Sequence, residues 1–176
     1  MSEKFKTYPG NQYYLTMTLE GWIDLFTRKE YAEFLEINLN YCIENKGLEV
    51  FSYCIMPSHL HMITRTLDYN LSDWLRDYKS YTSRKLYEMV KNHPGESRKE
   101  WLLYSFKYFA KPLKSNKEYK IWHNGNHPEE IFSQKFYDQK EMYIHNNPVE
   151  AGLVTDPQYY RYSSANPNCA VKIVKY

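Results

Sequence analysis

The sequence predicts an α+β protein: one antiparallel sheet with helices packed against it. Three observations carry that expectation. The hydrophobic patterns follow the order β-α-β-β-α-(α)-β-α, which suits a sheet covered by helices. Two adjacent strand-like runs are separated only by Met56-Pro57-Ser58, the spacing of a hairpin. A length of 176 residues without repeats or low-complexity tracts fits a single domain spanning 1–176 with one substantial core.

Each element has its own warrant. Residues 11–19 alternate and are rich in tyrosine and threonine, a first strand that stops at Glu20-Gly21. Between Thr27 and Asn45, the residues Tyr31, Phe34, Leu35, Ile37, Leu39, Tyr41 and Cys42 form an approximate helical stripe. Thr27 can cap it and Asn45-Lys46-Gly47 can end it. Residues 48–55 make a second strand and 59–66 a third, its hairpin partner. Residues 70–91 carry Leu71, Trp74, Leu75, Tyr78, Leu86 and Met89 at helical intervals, with Asn70 or Ser72 as N-cap and Asn92-His93-Pro94-Gly95 as the stop. A further helix is expected over 97–109, then an exposed basic connection over 111–120 and a short strand around 119–123. The last helix runs from about Phe132 to Asn147, ended by Pro148.

Composition narrows the function classes. A formal net charge of +2 is too small to argue for a polyanionic partner, so any such argument must come from local clustering. Three cysteines without CxxC spacing speak against a disulfide framework or a cysteine zinc site and suit a reducing cytoplasm. The first residues lack an apolar signal segment, and no apolar run approaches the roughly 18 residues of a membrane span. Neither export nor a membrane location is expected.

The stretch most charged with chemistry is His59-Leu60-His61. On a strand, side chains at i and i+2 share a face, so the two imidazoles form half of a metal site. The plainer alternative is two satisfied histidines on a half-exposed strand. On the last helix Tyr143 and Asn147 are four apart and share a face, which Gln139 extends. A tyrosine can be a covalent nucleophile and an amide oxygen can coordinate a hard divalent ion; equally, Asn before Pro is an ordinary helix terminator. Arg76, Lys79, Arg84, Lys85 and Lys91 lie along the longest helix among tyrosines, either a solvated face or a phosphate-binding one. His123 and His127 lie in a Gly- and Pro-containing segment without helical ligand spacing. His145, two residues from Tyr143, points to a different helix face.

Three blocks, Tyr53-Cys-Ile-Met-Pro-Ser-His-Leu-His-Met-Ile63, Tyr143-Ile-His-Asn-Asn-Pro-Val-Glu-Ala-Gly-Leu-Val154 and Tyr160-Arg-Tyr-Ser-Ser164, together resemble the REP-associated tyrosine transposases. Those belong to the HUH single-strand transposases, named for two histidines around an apolar residue. The resemblance implies a ferredoxin-like sandwich, with His59 and His61 as metal ligands on a central strand, Asn147 as a third ligand and Tyr143 as the nucleophile. It implies Mg²⁺ or Mn²⁺ as cofactor, single-stranded or hairpin DNA as partner, and a 5′-phosphotyrosine intermediate in a nicking and joining reaction. Free tyrosine titrates at about 10, so the nucleophile needs activation, by a base the sequence does not identify. With DNA as substrate, Lys79, Arg84, Arg76 and Lys85 become candidate phosphate contacts and Trp122 a candidate base-stacking ring. Two other readings compete: a DNA-hairpin-binding protein of the same fold without turnover, and a zinc hydrolase using a third histidine. Residues 93–119 match no family motif and read as a lineage-specific insertion or a part of DNA recognition. A monomer is favoured over a homodimer.

Overall fold

The computed structural model describes residues 6–112 and 118–174; part of the expected basic connection, 113–117, lies outside them. Four strands, β1 (Tyr13–Thr18), β2 (Leu48–Met56), β3 (His59–Thr66) and β4 (Glu129–Glu130), and four α-helices, α1 (Lys29–Asn45), α2 (Leu71–Asn92), α3 (Lys99–Ala110) and α4 (Gln134–Glu150), make up the fold. The sheet order is β2-β3-β1-β4 with every neighbouring pair antiparallel. This is the ferredoxin-like α+β sandwich. Strands β1 and β2 run the same way with β3 between them, and α1 makes the crossover.

The β2–β3 hairpin closes through Pro57 and Ser58, with Met56 opposite His59. Its register is fixed by burial on both faces, since a one-residue slip would exchange every side chain between them. One face carries Tyr13, Leu15, Met17, Val50, Tyr53, Ile55, Leu60 and Met62 into the main core beneath α1, α2 and α3. The other carries Tyr14, Phe51, Cys54, Met56 and Ile63 against Tyr137 and Ile144 of α4. By strand alternation His59 and His61 share this second face with Ile63, directly under α4.

Local chemistry explains the helix boundaries, with some differences from expectation. Asn70 caps α2 by accepting from Ser72 N at 2.8 Å, and Ser133 caps α4 by accepting from Phe136 N at 3.3 Å. Thr27 does not cap α1: Arg28 occupies the cap position, and the Thr27 hydroxyl donates to the Asp24 carbonyl at 2.8 Å. Helix α4 passes through Pro148 to Glu150. The proline is buried and in the last turn, where losing one N–H interrupts only the bond to Ile144, and the chain recovers with Ala151 N donating to Asn147 O at 2.9 Å. The strand expected over 119–123 reduces to a single bridge, Leu19 with Trp122, because β1 ends there in a turn through Gly21 and Trp22. The fourth strand is instead Glu129–Glu130, paired with Tyr13 and Tyr14. Helix α3, inside the 93–119 segment, sends Leu102 and Phe106 into the main core. No helix among the described residues is long and apolar enough to cross a membrane.

Candidate active site

Strand β3 and helix α4 bring three of the sequence-predicted residues together. The rings of His59 and His61 lie 4.6 Å apart, and Tyr143 stands edge-on to His61 with ring centroids 5.4 Å apart. Tyr143 remains 53% exposed, so its hydroxyl can be reached from solvent. Asn147 lies one helical turn beyond Tyr143, and its amide nitrogen donates to the Tyr143 carbonyl at 2.9 Å. That bond fixes the amide orientation and leaves its oxygen as the atom able to act as a ligand.

The His61 environment is polar on one ring nitrogen and bare on the other. Nδ1 lies 2.8 Å from Thr16 Oγ1 and 3.0 Å from the Tyr14 hydroxyl, while the buried Nε2 has no partner. Assigning the proton to Nδ1 gives it an acceptor and turns the Nε2 lone pair toward the site, as in a metal-ligating histidine. His59 repeats the pattern more simply, with Nδ1 3.0 Å from Ser58 Oγ. Burial pushes the His59 pKa down to about 4. Burial, with smaller contributions from His59 and Lys140, pushes His61 down to about 3. Both imidazoles are therefore neutral at physiological pH, the ligand form.

Tyr14 ties the site together. Its ring stacks with His61 at 6.0 Å and meets Tyr143 edge-on at 6.2 Å, and burial holds its phenol protonated, with the pKa pushed up to about 12. The Lys140 ammonium sits 4.2 Å above the Tyr14 ring centroid and pairs with Glu129 at 2.9 Å, which puts a cation on the Tyr143 helix near the histidines. Sequence reasoning missed Tyr14, Thr16 and Lys140. Strand alternation of Tyr14 and Thr16 in β1 was the available signal, but the pairing of Thr16 with His61 is long-range.

The two neutral imidazoles, His61 with an orphaned buried nitrogen, offer donors that a hard divalent ion can take. Among the described residues no three His, Cys, Asp or Glu side chains converge on a metal position. His123 has a different occupation, with Nδ1 3.3 Å from Glu20 Oε2. His145 is structural, with Nε2 2.8 Å from Ser164 Oγ and 3.1 Å from Ser52 Oγ, so it clamps α4 and the C-terminal segment to β2.

The expected DNA contacts separate on inspection. Arg76 is paired with Asp73 at 2.6 Å and Asp77 at 3.0 Å, and Lys85 with Glu88 at 2.9 Å. Arg84 lies exposed beside the Tyr81 ring at 5.8 Å. Lys79 donates to the His123 carbonyl at 2.8 Å, and burial pushes its pKa down to about 8. Trp122 cannot stack a base: it is 4% exposed, packs on Phe26 at 5.8 Å and donates its indole N–H to Thr82 Oγ1 at 2.9 Å. Its place on the bridge to Leu19 turns the ring into the core. A groove of about 940 Å³, lined by Arg76, Lys79, Arg84, Lys120 and His123 among others, runs between α2 and the 118–126 segment.

Comparison with known proteins gives the family. Residues 11–124 match the family described as "Transposase IS200 like"; the chain belongs to that family. The match includes the histidine pair and ends before Tyr143. Among solved structures, a REP-associated tyrosine transposase bound to a REP hairpin is similar over 93% of this chain and 82% of its own, with a TM-score of 0.62 and 20% identity, and it shows the same fold. A putative transposase from Deinococcus radiodurans is similar over 83% of this chain and 94% of its own, with a TM-score of 0.46 and 17% identity. No curated protein matches the sequence.

Proposed function

We propose that this transposase is a metal-dependent endonuclease and strand transferase for single-stranded DNA, acting at hairpin-associated sites through a 5′-phosphotyrosine intermediate. The observation that carries the reading is the approach of Tyr143 on α4 to the His59–His61 pair on β3, 5.4 Å ring to ring at His61. His59, His61 and the Asn147 amide oxygen would hold Mg²⁺ or Mn²⁺. When bound, such an ion supplies charge stabilisation at a nonbridging oxygen of the scissile phosphate.

The chain's own residues account for the rest. The Tyr143 oxygen attacks phosphorus, an O–P bond forms, the bond to the 3′ oxygen breaks, and a 3′-hydroxyl leaves carrying a proton in place of the one the phenol gives up. Attack by another 3′-hydroxyl reverses the exchange and conserves the phosphodiester energy. Thr16 and Tyr14 hold His61 in its ligand tautomer. Lys140 adds positive charge on the approach to the phosphate. The basic groove beside α2 is a separate surface from the histidine pair, bonded to the histidine strand only through the backbone: Lys79 bonds the His123 carbonyl, His123 N donates to Thr18 O at 2.8 Å, and Thr18 pairs with His59. Arg84 and Lys79 offer phosphate contacts in that groove. The structurally similar transposase was bound to a REP hairpin, and a hairpin is the partner proposed here, engaged by a monomer. With a DNA substrate and unpaired Cys42, Cys54 and Cys169, the proposed place of action is the cytoplasm.

Incubating the protein with labelled hairpin-bearing single strands from its encoding locus tests this reading. Covalent protein–DNA complexes that form with Mg²⁺ or Mn²⁺ and vanish with chelator are expected. Hairpin binding without any adduct under either condition would favour a non-catalytic binding protein.

A further inference from the structure

We infer that Trp22 is a stacking platform for an unpaired DNA base beside the phosphate handled at the histidine pair. The inference rests on the single-strand reading above and names the residue that would orient the nucleotide. Three observations converge on it. The indole is 67% exposed, whereas Trp74 and Trp122 are buried at 3% and 4%, so the ring does not serve the core. It stands edge-on to His59 with ring centroids 5.4 Å apart, leaving an indole surface open next to the site. Its backbone has φ +55°, in the left-handed region that a bulky aromatic rarely adopts. Such a conformation persists only where neighbours enforce it, and it clusters at functional sites.

The enforcement is visible. Gly21 precedes it with φ +66°, and a Cβ there would lie 2.3 Å from the Phe109 ring, so α3 presses the turn into shape and only glycine fits. Leu19 N donates to Ser58 O at 2.9 Å, Glu20 N to Ile121 O at 2.7 Å, Trp22 N to Leu19 O at 3.1 Å and Phe26 N to Pro57 O at 2.9 Å. The turn carrying Trp22 is thus bonded to the same hairpin tip, Pro57-Ser58, that leads into His59. The backbone that carries the indole is therefore tied to the backbone that carries the imidazole, which lowers the ordering cost when a ligand arrives. A flat, solvent-facing π surface held beside a phosphate-handling site suits a nucleobase, which stacks irrespective of its identity.

The test is photo-crosslinking of the full-length Tyr143→Phe protein to a short 5-iodouracil-containing single strand, with the site mapped by mass spectrometry. Titrations of Trp22→Ala, Trp22→Phe and Trp101→Ala in that background accompany it; Trp101, 50% exposed on α3, is the control aromatic. The expected results are a crosslink on Trp22, affinity roughly 5- to 100-fold weaker for Trp22→Ala, substantial recovery in Trp22→Phe, and no change in Trp101→Ala. Unchanged affinity in Trp22→Ala, or a crosslink confined to Trp101, overturns the inference. Because Tyr143→Phe cannot form the adduct, the readout is binding alone: adducts by the native protein with no Trp22 effect refute only the stacking role, while Trp22 crosslinking without adducts in the native protein refutes only the nuclease reading. If Trp22→Ala does not fold, the crosslink map of the folded parent still decides.

Discussion

Replacing Tyr14 by phenylalanine and Thr16 by valine together removes both oxygen partners of His61 Nδ1 while nearly preserving volume. The surroundings are dry, with Tyr14 7% and His61 4% exposed, so water cannot readily substitute. If the proton stays on Nδ1, a buried donor loses its acceptors, at a cost of about 1–3 kcal/mol. If it moves to Nε2, the lone pair aimed at the site is lost. Either route predicts Mn²⁺ affinity about 10- to 100-fold weaker, measured by calorimetric titration of the DNA-free protein. Thr16→Val alone should cost less, since the Tyr14 hydroxyl remains 3.0 Å from Nδ1. Nitrogen-15 NMR reports the tautomer directly: Nδ1–H in the native protein, mixed or Nε2–H in the double variant. Affinity unchanged in the double variant, or a native Nε2–H tautomer, would refute the reasoning.

Further consequences can be checked independently. The folded-state pKa values of His59 and His61, about 4 and 3, lie below the unfolded value of about 6.5. The unfolded chain therefore binds protons first on acidification, and the contribution of these groups is complete above about pH 6.5 and lost as pH falls toward 4 and then 3. The metal-free protein should lose thermal stability through this window, less so in His61→Leu, as followed by calorimetry; a rise on acidification would contradict the assignment. Trp122→Ala should destabilise by about 3–5 kcal/mol through a core cavity, seen as a lower denaturation midpoint, whereas a stable protein with a selective DNA-binding defect would restore Trp122 to the surface. Arg84→Ala should weaken single-strand binding and reduce the slope of log affinity against log salt by about 1, with Arg76→Ala, already paired to Asp73 and Asp77, doing less.

Much of the site was legible because its parts obey local periods. A two-residue repeat places His59 and His61 on one face of a strand, and a four-residue spacing places Tyr143 and Asn147 on one face of a helix. What escaped depends on distant pairing. Thr16 meets His61 only through the β1–β3 register, and Lys140 approaches the histidines only once α4 has docked over Tyr14. Trp122 reads as an exposed aromatic among basic and turn-forming residues, yet its indole bonds to Thr82 in the core. Glu129–Glu130 has no strand propensity; its pairing comes from position beside the edge of β1. Trp22 carries no sequence signal for a positive φ; the turn that holds it is bonded to Pro57 and Ser58 of the hairpin tip, contacts distant in sequence.

The most direct measurement is the mass-spectrometric location and polarity of the covalent DNA adduct formed with Mn²⁺ on a hairpin-bearing single strand. The account predicts a 5′-phosphate esterified to Tyr143, a free 3′-hydroxyl on the released strand, and no adduct from Tyr143→Phe, which still binds the hairpin. An adduct on any other residue, a 3′-linked product, or undiminished adduct in Tyr143→Phe would contradict it.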